Sequence, residues 1–345
     1  MEYNRENMMA NEPIGGLIWK LSLPAIVAMF VNGLYNVVDT IYIGHGIGSM
    51  GIAGLSVAFP IQMMIGGIGL MLGVGTASII SRSFGARDYE KAHRAFGNNL
   101  LGILIFGFLL VFSGSVFLKP ILRLFGASEE IMPYAAEYMS VIFIGSPLTL
   151  FTMSMNNIIR SEGAARTAMW SMLVGAIANI ILDPIFIFTL GMGIRGAAVA
   201  TVLSRVFVLT WVFWFYRSGR SFISIKARHL APSLEILKEI LVVGFPTFLQ
   251  RASSSFVYGW INQLLGVYGG DMAVAVFGIN NRVIMYSAMP AMGIAQGMLP
   301  ITGFNYGARK YGRALEAVKT SNFMALALCS VITTALLIFP EPTLK

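Results

Sequence analysis

The sequence predicts an all-α polytopic membrane protein of two six-helix lobes, related by a pseudo-twofold axis along the membrane normal, with a complete first lobe and about three helices of the second. Three observations predict it. Hydrophobic residues make up 56% of the 345 residues and charged residues only 12%, against roughly 25% in soluble domains, and the mean hydropathy is +0.74. Nine apolar stretches are each long enough to cross a hydrocarbon core of about 30 Å as a helix. The third observation is a repeat at a constant offset of 222 positions, running without a gap. Pro24 matches Pro246, Gly44 matches Gly266, Gly75 matches Gly297 and Pro120 matches Pro342, and Phe84-Gly85-Ala86-Arg87-Asp88-Tyr89 matches Tyr306-Gly307-Ala308-Arg309-Lys310-Tyr311.

Span 1, residues 17 to 43, holds Pro24 and ends one turn after Asp39. Span 2, 52 to 80, contains Gly66, Gly67, Gly69, Gly73 and Gly75; no Lys-Ser or Lys-Thr follows, so the cluster reads as close helix packing and not as a phosphate loop. Spans 3 and 4 cover 97 to 119 and 132 to 157, the latter with Tyr138 near its start and Asn157 at its end. Span 5, 167 to 190, carries Asn179 and Asp183-Pro184, and span 6, 196 to 216, carries Thr201 and Arg205. Glycine and proline inside such stretches are ordinary in lipid, where neighbouring helices re-satisfy freed backbone groups.

The polar segment 217 to 238 links the lobes, dividing the chain into residues 1–222 and 223–345. Spans 7 to 9, at 239 to 268, 274 to 303 and 319 to 340, repeat spans 1 to 3. The counterparts of spans 4 to 6, about 100 residues, are expected to be missing, so the chain reads as C-terminally truncated, with a true nine-helix protein as the alternative.

Lys and Arg concentrate after spans 2, 4, 6 and 8, and the alternate loops hold few, which places the N-terminus in the cytoplasm. The net charge of +8 is dealt among these loops and forms no single basic stripe, so no nucleic-acid partner is expected. Cys329 is the sole cysteine, so no intrachain disulfide is possible and no thiolate metal site is indicated. No cleavable signal peptide and no Walker motif are evident, and no catalytic residue set or cofactor is expected beyond a coupling H+ or Na+.

Asp39 and Asp183 are the conspicuous acids inside apolar spans, where a charge costs roughly 2.5 to 3.5 kcal/mol even on lenient scales. Helix direction puts both in the outer half of the membrane, in one layer with Tyr138 and Thr201. Asn179 precedes Asp183 at i, i+4 and so shares its helix face. Two carboxylates facing each other away from water cannot both stay charged cheaply, so a proton or a sodium ion is expected between Asp39 and Asp183. Pro24 supplies a place for span 1 to bend when that charge changes; a static kink is the alternative. Arg205, Arg251, Arg282 and Glu137 receive no role.

Together, Leu23-Pro24, Asn32 and Val38-Asp39 in span 1, Ala53-Gly54-Leu55-Ser56 in span 2, Gly85-Ala86-Arg87 after it, Asn156-Asn157 and Gly163, Asn179-x-x-x-Asp183-Pro184, and Gly196-Ala197-Ala198 with Thr201 resemble the bacterial multidrug and toxic compound extrusion transporters. The resemblance implies a twelve-helix antiporter of the bacterial inner membrane, monomeric at full length, that exports organic, often cationic, drug-like compounds in exchange for H+ or Na+. It implies Asp39 and Asp183 as the acidic pair, with Tyr138, Asn179, Thr201 and Asn157 as polar neighbours. One branch of the family places its acid in span 7; here Ile261 stands at the position matching Asp39, with neutral Asn262 and Gln263 beside it, which favours the first-lobe pair. A lipid-linked saccharide flippase of the same superfamily and an inactive fragment are the alternatives.

Overall fold

The computed structural model describes residues 2–224 and 226–338, without the side chains of 2–4, 49, 258, 259, 262, 263, 265–267, 269–275, 278, 279, 282 and 337. Pro342, an anchor of the repeat, and the side chains of Asn262, Gln263 and Arg282 lie outside the described residues. Every regular element among the described residues is helical. A short α1 (Glu2–Asn11) leads into α2 (Ile14–Ile47), α3 (Ser49–Gly85) and α4 (Tyr89–Val116). A short α5 (Leu118–Leu124) precedes α6 (Met132–Ile144), α7 (Ser146–Ser161), α8 (Ala165–Pro184) and α9 (Gly193–Arg217). A 3-10 turn at Ala227–Leu230 precedes α10 (Leu234–Gly307) and α11 (Tyr311–Ile338).

Local chemistry explains the breaks. Span 4 is two helices, α6 and α7, bent by 57° at Gly145, with Pro147 in the first turn of α7. Pro184 has no N–H to donate, and the chain after it widens into a π turn, Ile185–Thr189, in which the Leu190 N–H donates to the Ile185 carbonyl at 2.9 Å. Asp183 therefore sits at the mouth of an irregular turn. The repeat is visible in the backbone. Arg87 and Arg309 are the non-glycine residues with positive φ among the described residues, at 60° and 59°. Around them the bonds Asp88 N–H to Ser83 O and Lys310 N–H to Asn305 O, both 2.8 Å, close the same turn 222 positions apart.

Seven helices among the described residues are long and apolar enough to cross a membrane, eight when the bent α6–α7 pair counts as one. Exposed Leu104, Phe108 and Phe213 give α4 and α9 apolar outer faces suited to lipid and not to water. The expected break between spans 7 and 8 is absent: helical bonding runs through all 74 residues of α10. A straight helix of that length would extend about 110 Å. Yet Glu239, near its start, pairs with Arg82 at 2.9 Å, and Gly307, at its end, packs on the backbone of the same Arg82. α10 therefore doubles back between Arg251, against Gly67, and Tyr286, against Gly33. Its first limb runs antiparallel to α3 and its second antiparallel to α2, so the two predicted spans are present as limbs of one element.

The basic segments gather at one end of the bundle, called here the basic end. Arg82 and Lys91 both bind Glu239, Arg228 binds Glu90, Tyr89 donates to Glu6, and Asn305 donates to the Met9 carbonyl. At this end the helices touch backbone to backbone. A Cβ on Gly75 would come within 2.0 Å of the Ile240 carbonyl oxygen, and one on Gly85 within 1.9 Å of the Phe304 carbonyl oxygen. Glycine is therefore required for the approach.

Candidate functional site

The site lies toward the other end, where α2 packs on α8. Asp183 is fully buried, and Asn179, one turn earlier, donates to its Oδ1 at 3.1 Å. Asp39, half-buried on α2, brings its carboxyl within hydrogen-bonding reach of the Asp183 carboxyl. Neither group can donate while both are ionised. Asp39 Oδ1 and Asp183 Oδ2 are accordingly buried without a donor among the described residues. A buried acceptor left without a donor costs about 1 to 3 kcal/mol, more when it is charged. One proton held between the acids, or one small cation bound by them, supplies what both oxygens lack.

Tyr138, 3% exposed on α6, meets this pair from the side. Its hydroxyl accepts from Gln62 Nε2 at 3.3 Å, lies within hydrogen-bonding reach of Thr201 on α9, and feels the charge of Asp39. The structure thus brings Asp39, Asp183, Asn179, Tyr138 and Thr201 into one polar layer drawn from α2, α6, α8 and α9. It adds residues to which sequence reasoning gave no role. Tyr35 lies near both acids and near Arg205, and Gln62 reaches in from α3. The i, i+4 spacing of Tyr35 and Asp39 was a usable signal for the first; for Gln62 it was a lone amide in an apolar run.

Asn157 does not join the layer. It stands 19 residues after Tyr138, up to about 28 Å further along the helical path, and its Nδ2 donates to the Met153 carbonyl at 2.9 Å. There it lines a separate cavity of about 250 Å³ at the basic end, with Arg82, Arg160, Gln296 and Tyr306. Pro24 is buried inside an unbroken α2, 15 residues before Asp39.

A second buried acid was overlooked in the sequence. Glu162, just past the end of α7, is fully buried; its Oε2 accepts from Ser221 Oγ at 2.7 Å and from the Phe222 N–H at 2.9 Å, and its Oε1 accepts from the Tyr216 hydroxyl at 3.4 Å. Burial pushes its carboxyl up to about 7, against the opposing pull of these bonds and of the Arg5 charge. Its partners lie some 60 residues away in the chain, so no local pattern announced it.

A model of the MatE family matches residues 24–185 and again residues 246–345. The chain belongs to the MatE family. The two matches begin at Pro24 and Pro246, the first pair of repeat anchors. The multidrug export protein MepA of Staphylococcus aureus (strain NCTC 8325 / PS 47) is 28% identical over 307 residues, covering 89% of this chain and 68% of MepA. Among solved structures, an outward-facing multidrug resistance MATE family transporter of the MOP superfamily superposes with a TM-score of 0.91 at 34% identity, over 98% of this chain and 75% of that one. The MATE multidrug transporter DinF-BH gives a TM-score of 0.89 at 42% identity, over 97% and 75%. Family membership places the chain among multi-pass membrane transporters.

Proposed function

We propose that the protein is a secondary antiporter of a bacterial inner membrane that exports organic, often cationic compounds in exchange for H+ or Na+, and that Asp39 and Asp183 are its coupling acids. The observation that carries this reading is the contact between two carboxyls that lack a donor until a cation joins them. Asn179 orients Asp183, and Tyr138 and Thr201 complete the polar layer beside the pair; Asn157 does not belong to it. The basic end lies in the cytoplasm, as the loop charges require. The reading takes residues 1–222 and 223–345 as two lobes, α10 and α11 belonging to the second.

Alternation follows from the packing. The glycine contacts close the basic end, and a change of charge at the acids on α2 and α8 biases the helices toward release of that closure, with the buried Pro24 as the weak point of α2. A membrane potential of 100 mV contributes about 2.3 kcal/mol per charge moved. MepA and DinF-BH, both named for multidrug transport, support the substrate class.

The test reconstitutes the chain in liposomes and follows a fluorescent organic cation under an imposed pH or Na+ gradient. Gradient-driven flux that disappears in the Asp39→Asn, Asp183→Asn double variant is expected; flux that persists unchanged in that variant refutes the coupling role.

A further inference from the structure

We propose that the basic end carries a binding site for a divalent transition-metal ion of the zinc type, ligated by Glu90 and His93 of α4 and by His229 of the 3-10 turn. One ligand atom from each of the three lies within 4.8 Å of those of the other two. Glu90 and His93 are at i, i+3, on one face of the first turns of α4, while His229 arrives from 136 residues further along the chain. Two imidazoles and a carboxylate form a set that zinc uses with its fourth position left open. Tetrahedral zinc bonds of about 2.0 to 2.1 Å separate neighbouring ligand atoms by about 3.4 Å. Glu90 Oε2 and His229 Nε2 already stand 3.4 Å apart.

Each histidine has one ring nitrogen beside a backbone carbonyl, an arrangement common among metal ligands. His93 Nε2 lies 3.2 Å from the Phe222 carbonyl oxygen and His229 Nδ1 lies 3.0 Å from the Ser224 carbonyl oxygen. A ring N–H donated to the Phe222 carbonyl leaves the lone pair of His93 on Nδ1; His229 Nδ1 also lies 3.2 Å from the Lys226 N–H, and the tautomer in which it donates to Ser224 leaves Nε2 open to an ion. The two rings face each other with centroids 5.0 Å apart. His229 is 1% exposed, and its turn is pressed onto α4. A Cβ on Gly97 would meet the His229 carbonyl oxygen at 2.0 Å, and Asn98 Oδ1 accepts from the Ser233 N–H at 2.8 Å. The third ligand is therefore held in place before any ion arrives.

A cation already bridges two of the ligands. The Arg228 guanidinium donates through Nη2 to Glu90 Oε2 at 2.8 Å and through Nε to His229 Nε2 at 3.2 Å. The Arg228 side chain is 65% exposed, so it is free to swing into solvent and give these lone pairs to a metal. The bound ion would clamp the segment between α9 and α10 onto the start of α4.

Cobalt(II), whose visible spectrum reports imidazole ligation, serves as the probe on tag-free, chelator-stripped protein. A saturable one-to-one spectrum is expected. Glu90→Gln and His93→Gln each weaken it at least about tenfold, Arg228→Ala tightens it by removing the competing cation, and Asp39→Asn leaves it unchanged. Glu90 is exposed, so its variant folds, with unaltered thermal melting as the control. No saturable spectrum at millimolar cobalt, a spectrum retained in the Glu90→Gln, His93→Gln double variant, or weaker binding in Arg228→Ala overturns the proposal. None of these outcomes depends on transport.

Discussion

Gly307 lies so close to Arg82 that a Cβ placed on it would come within 1.9 Å of the Arg82 carbonyl oxygen. The contact is backbone on backbone and no side chain can yield, so Gly307→Ala must push the end of α10 away from α3. Overpacking of this kind costs typically 1 to 3 kcal/mol. Gly312, in the first turn of α11, has open space where a Cβ would go, so alanine there is expected to be tolerated. The melting temperature in one detergent should fall for Gly307→Ala and not for Gly312→Ala.

Asn179 satisfies one oxygen of Asp183 and nothing else in the layer donates to that carboxyl among the described residues. Asn179→Leu leaves Oδ1 as bare as Oδ2, a loss of about 1 to 3 kcal/mol. Combining it with Asp183→Leu removes the buried acceptor along with its donor, so the double variant should recover part of the stability lost in the single one. Thermal unfolding of the three proteins checks this, and strict additivity would contradict it.

The turns at Arg87 and Arg309 hold an exposed arginine in the left-handed region, with φ of 60° and 59°. The strain there is roughly 1 to 2 kcal/mol, and glycine lacks it. Arg309→Gly should therefore preserve transport and raise the melting temperature, although the more flexible unfolded chain of a glycine variant offsets part of the gain.

Glu162 predicts a pH dependence with a definite sign. Its carboxyl rises from an ordinary value near 4.5 to about 7 when buried, so the folded chain holds a proton that the unfolded chain has released. Its contribution to stability is complete below about pH 4.5, falls as pH rises through about 7, and is flat above that. Glu162→Gln should flatten this part of the profile. The protection of the Phe222 N–H against exchange, corrected for the intrinsic rise of exchange rate with pH, should fall over the same interval in the native protein and not in the variant.

Most of the spans and the repeat were legible because each is written locally; the bend at Gly145, the turn after Pro184 and the unbroken helix over spans 7 and 8 were not read. Apolar runs announce helices, Pro147 and Pro184 lie where α6–α7 and α8 break, and the Gly85-Ala86-Arg87 and Gly307-Ala308-Arg309 triplets mark one turn twice. Asp39 and Asp183 stood out for a similar reason, since a carboxylate in hydrocarbon is costly enough to be noticed in a single sequence. Helical spacing even placed Asn179 correctly beside Asp183.

Which faces meet was a different matter. In lipid a helix can be apolar all round, so no stripe of hydrophobic residues tells the reader where its neighbours lie. Only the packed structure turned Asp39 and Asp183 toward each other, drew in Tyr35 and Gln62, and left Asn157 at the opposite end. Only the packed structure folded spans 7 and 8 into one doubled-back helix, and buried Glu162 and His229 under partners some 60 and 136 residues distant. Amino-acid order by itself determined which stretches are apolar enough to be membrane helices and where charge is tolerated among them, because those depend on local transfer energies. Tertiary structure decided which charges touch, because that depends on the rotation and register of helices, set by contacts between residues far apart in the chain.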